Sequence, residues 1–91
     1  MKYFTWENGK NEKLIEERGI SFEEIVFHIR EDGILDILDH PNQTRYEGQR
    51  IFVIDAKGYA FLVPFVEKED EIFLKTIIPS RKATRKYLKG E

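Results

Sequence analysis

Arg81, Lys82, Arg85, Lys86 and Lys89 crowd together near the C-terminus of this 91-residue chain, and Lys75 precedes them; no acid lies between Glu71 and Glu91. Residues so rich in positive charge bind a phosphate or an acidic partner, or they form a solvated face neutralised by surface ion pairs. The spacing decides how they would be presented. A helix starting at Arg81 and capped by Ser80 puts Ala83, Thr84, Tyr87 and Leu88 on one side and the five cations on the other. Arg81/Arg85 and Lys82/Lys86 are then like-charge pairs one turn apart, with no acid in the segment to relieve them. Cations in the last turn suit the helix dipole, but Arg81 and Lys82 in the first turn oppose it, at roughly 0.3–1 kcal/mol each. That misfit calls for an anion supplied from outside.

Lys75 interrupts an apolar run, Ile72, Phe73, Leu74, Thr76, Ile77 and Ile78, that reads as a strand buried on both faces. A cation there must reach water, a counter-charge or an anionic ligand. Pro79 ends the strand because it has no amide to donate. His28 and His40 are the side chains whose ordinary pKa lies nearest neutrality. They are isolated from each other, and with no cysteine in the chain there is no metal-ligand spacing, thiolate nucleophile or disulfide. No metal and no cofactor are expected. No Gly-rich phosphate loop or nucleophile elbow occurs.

The elements that must carry these residues follow from the chain in order. Lys2 to Trp6 is a short aromatic-rich strand; Glu7 to Arg18 favours a helix stopped by Gly19. Ser21-Phe22-Glu23-Glu24 is a capping box, and Phe22, Ile25, Val26 and Ile29 give the second helix one apolar side up to Gly33. Ile34 to Leu38 reads as a strand with Asp36 in water, Asp39 to Gly48 as a polar connection, and Gln49 to Asp55 with Tyr59 to Val66 as a hairpin around Lys57-Gly58. Pro64 marks a bulge or an edge. Glu67 to Asp70 turns the chain into the Ile72 strand. The expectation is one α+β domain spanning residues 1–91, an antiparallel sheet with two N-terminal helices on one face and a short basic helix at its rim.

Hydrophobic residues at 41% and charged residues at 35% are those of an ordinary globular chain with no membrane span. With no apolar segment after Met1, a cytoplasmic location is expected. The net charge of −2 conceals an asymmetry: residues 1–48 hold 6 cations and 11 acids, residues 49–91 hold 9 cations and 6 acids.

Phe4-x-Trp6, Lys10, Gly19-Ile20-Ser21-Phe22-Glu23-Glu24, Arg50, and Ile77-Ile78-x-x-Arg81-Lys82-Ala83-Thr84 are similar, in order and rough spacing, to the BrnT-like branch of the RelE-type ribonuclease toxins. The match runs along nearly the whole chain. It departs from the family pattern at Leu14, Arg18 and Thr76, where many relatives have Asn, His and Arg. The resemblance implies a RelE-like fold, metal-independent cleavage of RNA, neutralisation by a cognate antitoxin, and repression of operator DNA by the resulting complex.

Such cleavage needs a base for the 2′-hydroxyl, cations at the pentacoordinate phosphate and an acid for the leaving 5′-oxygen. Arginine is bidentate toward phosphate and always charged, which makes Arg50, Arg81 and Arg85 the expected phosphate clamp. Lys75, if desolvated, is the candidate base or charge stabiliser. Lys82, Lys86, Lys89 and His40 are the expected RNA contacts. Tyr87 is a weaker acid candidate, since it falls on the apolar side of the last helix and core packing accounts for it better. Two other functions stay open: a non-catalytic module that binds an acidic protein or nucleic acid through the basic helix, and an interaction protein that adds a partner strand at Tyr3 and Trp6.

Overall fold

A computed structural model describes residues 2–90. The elements are β1 (Tyr3–Thr5), α1 (Asn8–Arg18), α2 (Phe22–Arg30), β2 (Ile34–Asp39), β3 (Gln49–Ala56), β4 (Tyr59–Lys68), β5 (Glu71–Leu74), β6 (Ile78–Pro79) and α3 (Arg81–Ala83), which runs on into a π-helical turn, Thr84–Leu88. None of these helices is long and apolar enough to cross a membrane.

Local chemistry sets the helix ends. Gly19 takes the left-handed φ of 68° that closes α1, its N–H donating to the Ile15 carbonyl. Ser21 accepts from the Glu24 N–H at 3.1 Å, as the capping box requires. Behind it, Asn11 ties the two helices together, accepting from the Phe22 N–H at 2.7 Å and donating to Glu23 at 2.7 Å. At Gly33 a Cβ would come within 2.5 Å of the His28 carbonyl, so the turn out of α2 requires a residue without one.

The sheet runs β1-β5-β4-β3-β2. Residues of even number on β3 and odd number on β4 face α1 and α2: Phe52, Ile54, Val63 and Phe65 close on Leu14, Phe22, Ile25 and Val26 to form the main core. Phe52 and Phe65 stack at 3.9 Å and Trp6 stacks on Phe22 at 5.7 Å. Phe22 and Ile25 have no exposed surface, a burial that stabilises by about 1.5–3 kcal/mol per side chain.

Three features differ from the sequence-based expectation. First, the sheet is mixed: β1 lies parallel to β5, Tyr3 opposite Glu71 and Thr5 opposite Phe73. Second, the final strand is not continuous. β5 stops at Leu74, and pairing with β4 resumes only at Ile78, opposite Leu62. Four residues of the last strand therefore span three of β4, and Pro64 sits across the break. Its carbonyl accepts from the Lys75 N–H at 2.8 Å, but it has no amide to return the bond, so the ladder opens there. Third, the C-terminal segment is not at the rim. It lies on the sheet face opposite α1 and α2, where Ala83, Tyr87 and Leu88 cover Leu35, Val53, Ala60 and Leu62 in a second, smaller core.

Candidate functional site

The C-terminal segment is anchored by hydrogen bonds that its own sequence supplies. Ser80 caps it, its Oγ accepting from the Ala83 N–H at 3.0 Å. Ser80 and β4 are also joined, the Ser80 N–H donating to the Ala60 carbonyl at 2.9 Å. Thr84 is buried, donating its hydroxyl to the Ser80 carbonyl at 2.8 Å and accepting the Ala60 N–H at 2.8 Å. Three residues on, the Tyr87 hydroxyl donates to Asp36 Oδ2 at 2.6 Å, fastening the far end of the segment to β2.

That last bond shapes both partners. The Tyr87 hydroxyl, helped by the Ile37 N–H and the nearby Lys86 charge, holds the Asp36 carboxyl below its ordinary pKa; Asp36 in turn pushes the Tyr87 phenol up. Tyr87 therefore keeps its proton at neutral pH.

With the apolar side docked, the cations have one place to go. Arg81, Lys82, Arg85, Lys86 and Lys89 are all exposed, and among the described residues none of them lies within the 4.0 Å that defines an ion pair with a carboxylate. Lys86 sits 5.1 Å over the Tyr87 ring. Lys82 and Lys86 flank a hollow of about 250 Å³ whose floor is Leu38, Val53 and Leu62 and whose wall is Tyr87. An apolar floor under two unneutralised ammonium groups can take an anionic group attached to an apolar or planar one.

The other expected site residues are elsewhere. Arg50 does not join Arg81 and Arg85. It stands opposite Phe65 on the face covered by α1 and α2, four residues along β4 from Phe61, which is opposite Pro79, a separation of roughly 13 Å. Its charge is already met: Nε lies 3.8 Å from Asp39 and Nη1 3.7 Å from Glu67, with the guanidinium over the Phe65 ring at 5.9 Å. Strand register and the two faces of the sheet thus set Arg50 apart from Arg81 and Arg85 in this structure. His40 belongs to the same end of the sheet as Arg50. Its ring stacks on Tyr46 at 4.2 Å, its Nδ1 accepts from the Asn42 N–H at 3.0 Å, and its own N–H donates to the Gln49 carbonyl.

Lys75 is exposed in the break between β5 and β6, so the desolvation expected of a base is absent. It borders a separate hollow with Lys10 and Lys13. Of the family departures, Leu14 is a core residue and the Arg18 guanidinium donates to the Ile77 carbonyl. Among the described residues, no three His, Asp or Glu side chains are placed to hold a metal ion.

An acid in a short strand such as Asp36 reads as solvated, and its pairing with a tyrosine 51 residues away along the chain leaves no trace in local spacing. Comparison with family models, curated proteins and solved structures gave no match for the chain.

Proposed function

We propose that this protein is a RelE-like endoribonuclease toxin of a type II toxin-antitoxin system, cleaving RNA without a metal and held inactive by a cognate antitoxin. The observation that supports this reading is the row of five exposed cations, Arg81, Lys82, Arg85, Lys86 and Lys89, anchored on the open sheet face with no carboxylate partner among the described residues. The resemblance of the Ile77 to Thr84 stretch to BrnT-like toxins supports it from the sequence side. In this reading Arg81 and Arg85 stabilise the pentacoordinate phosphate and Lys82, Lys86 and Lys89 hold the flanking backbone, while Tyr87, its one proton given to Asp36, keeps the segment in place. The antitoxin covers the same cations, and the complex binds operator DNA.

The test is direct. Purified protein incubated with RNA in a chelator is expected to leave 2′,3′-cyclic phosphate ends, and Arg81→Ala/Arg85→Ala to leave none. Intact RNA with the unaltered protein overturns the catalytic reading.

A second reading, RNA or acidic-protein binding without chemistry, is favoured by one observation: Arg50 and His40 lie at the far end of the sheet and Lys75 is solvated, so no evident base accompanies the cations. Binding with unbroken RNA is its signature.

A further inference from the structure

The basic C-terminal segment is not the only place where cations gather around a hollow. A depression of about 460 Å³ at the end of β5 is lined by Glu7, Gly9, Lys10, Lys13, Phe73 and Lys75. Three lysines face one carboxylate there, and none of the three is within ion-pair distance of an acid among the described residues. Lys10 and Lys13 sit three residues apart on α1 and so share a side of the helix. Lys75 borders the same hollow just past the end of β5, its N–H still donating to the Pro64 carbonyl where the ladder then opens. The end of β5 thus adds a third cation to the pair on α1.

Phe73 supplies what a plain lysine cluster lacks. It is half-buried and makes no aromatic pair among the described residues, which leaves ring surface facing the hollow. Beside it Thr5, its partner across β1 and β5, carries a buried hydroxyl with no hydrogen-bond partner. Phe73 also shares the open face with the C-terminal segment. It is opposite Val66 on β4, and Val66 and Leu62 point the same way, Leu62 lying under Ala83 and Tyr87. Pro64, opposite Lys75, and Phe61, opposite Pro79, are three residues or roughly 10 Å apart along β4. The Phe73 and Lys75 side of the hollow therefore lies within the reach of a few nucleotides from the C-terminal segment, while Lys10 and Lys13 approach it from α1.

We infer that the hollow of Lys10, Lys13, Lys75 and Phe73 is a nucleotide-binding subsite, a base lying against Phe73 and its phosphates on the three ammonium groups, which sets the path of single-stranded RNA across the open face. Ring surface combined with cations is the arrangement that holds single strands without sequence preference. An acidic protein segment would use the lysines but gain little from the ring. The inference rests on the reading that the Arg81 to Lys89 face binds RNA, and its test separates the two.

A fluorescein-labelled uridine decamer and a labelled oligoglutamate decamer are titrated, in chelator at 50 mM salt, with the unaltered protein, with K10Q/K13Q/K75Q and with R81Q/R85Q. Thermal melting checks each variant for folding, and Lys75→Gln alone serves if the triple variant melts early. The expected result is that both multiple variants weaken RNA binding by about tenfold or more, that Phe73→Leu weakens it by about fivefold, and that oligoglutamate binding is insensitive to Phe73→Leu. RNA binding lost in R81Q/R85Q but unchanged in the lysine variants overturns the subsite and leaves the proposed function standing. Equal losses of RNA and oligoglutamate, with no effect of Phe73→Leu, assign the hollow to an acidic protein instead. No RNA binding by the unaltered protein overturns both.

Discussion

Arg50 and Arg81 are the same residue type at the two ends of one sheet, and the fold treats them in opposite ways. Arg50 is provided for: Asp39 on the neighbouring strand, Glu67 across β4 and the Phe65 ring beneath it satisfy its charge and its planar face. Arg81 has none of these, and its four cationic neighbours on the segment make its position worse. The fold does not abandon that segment, however. Ser80, Thr84 and the Tyr87–Asp36 bond hold its apolar side firmly. Firm anchoring combined with unrelieved charge is what a surface built for an external polyanion looks like, because preorganised cations bind without first losing their own partners.

The contrast breaks most visibly at the charges themselves. R81A/R85A is expected to abolish growth arrest on expression and to lower RNA affinity at least tenfold, while the melting temperature stays within a degree or two. The same assays on Arg50→Ala should show unchanged RNA affinity, and calorimetry a loss of stability of about 1 kcal/mol or less, the worth of an exposed pair with some ring contact. Reversed results, with Arg50 essential and Arg81 structural, would dissolve the comparison.

Anchoring comes next in size. Thr84→Val removes the acceptor of the buried Ala60 N–H, and denaturant unfolding should register about 1–3 kcal/mol. RNA affinity should fall with it, since the cations lose their fixed base; undiminished affinity would mean that the segment binds as a loose tail.

The smallest effect is in pH. Asp36 is held low, so its contribution is present above the ordinary carboxylate range and lost as pH falls through the lowered value. Tyr87 is pushed up, so its contribution is present below the ordinary phenol range and lost as pH rises through the raised value. Stability contributed by the pair is therefore flat from about pH 5 to pH 9, and Tyr87→Phe should remove a shallow decline at each end of the stability-pH curve. A curve identical to that of the unaltered protein would show that the bond carries no weight.

Much of this was legible in the sequence where the relevant partners are close along the chain. The capping box at Ser21, the stop at Gly19, the hairpin around Lys57-Gly58 and the division of the last segment into Ala83, Thr84, Tyr87, Leu88 against five cations all depend on residues within a turn or two of one another. What the spacing did not reveal depends on register between distant strands. Pro64 announces a disruption, but that the opening falls opposite Lys75 follows only from the β4–β5 pairing. The parallel placement of β1, the burial of the segment on the open face rather than the rim, and the separation of Arg50 from Arg81 are of the same kind. A cation's neighbours along the chain say how it is presented, and its neighbours across the sheet say whether it is already satisfied.

The central claim is that the five C-terminal cations await a polyanion while Arg50 does not. Its most direct measurement is the salt dependence of RNA binding for the unaltered protein, R81A/R85A and R50A. Each single-strand phosphate contact adds about 0.7 to the slope of log affinity against log salt. The account predicts that R81A/R85A flattens this slope by roughly 1.4 and that R50A leaves it unchanged; a slope that Arg50→Ala flattens and R81A/R85A does not would contradict it.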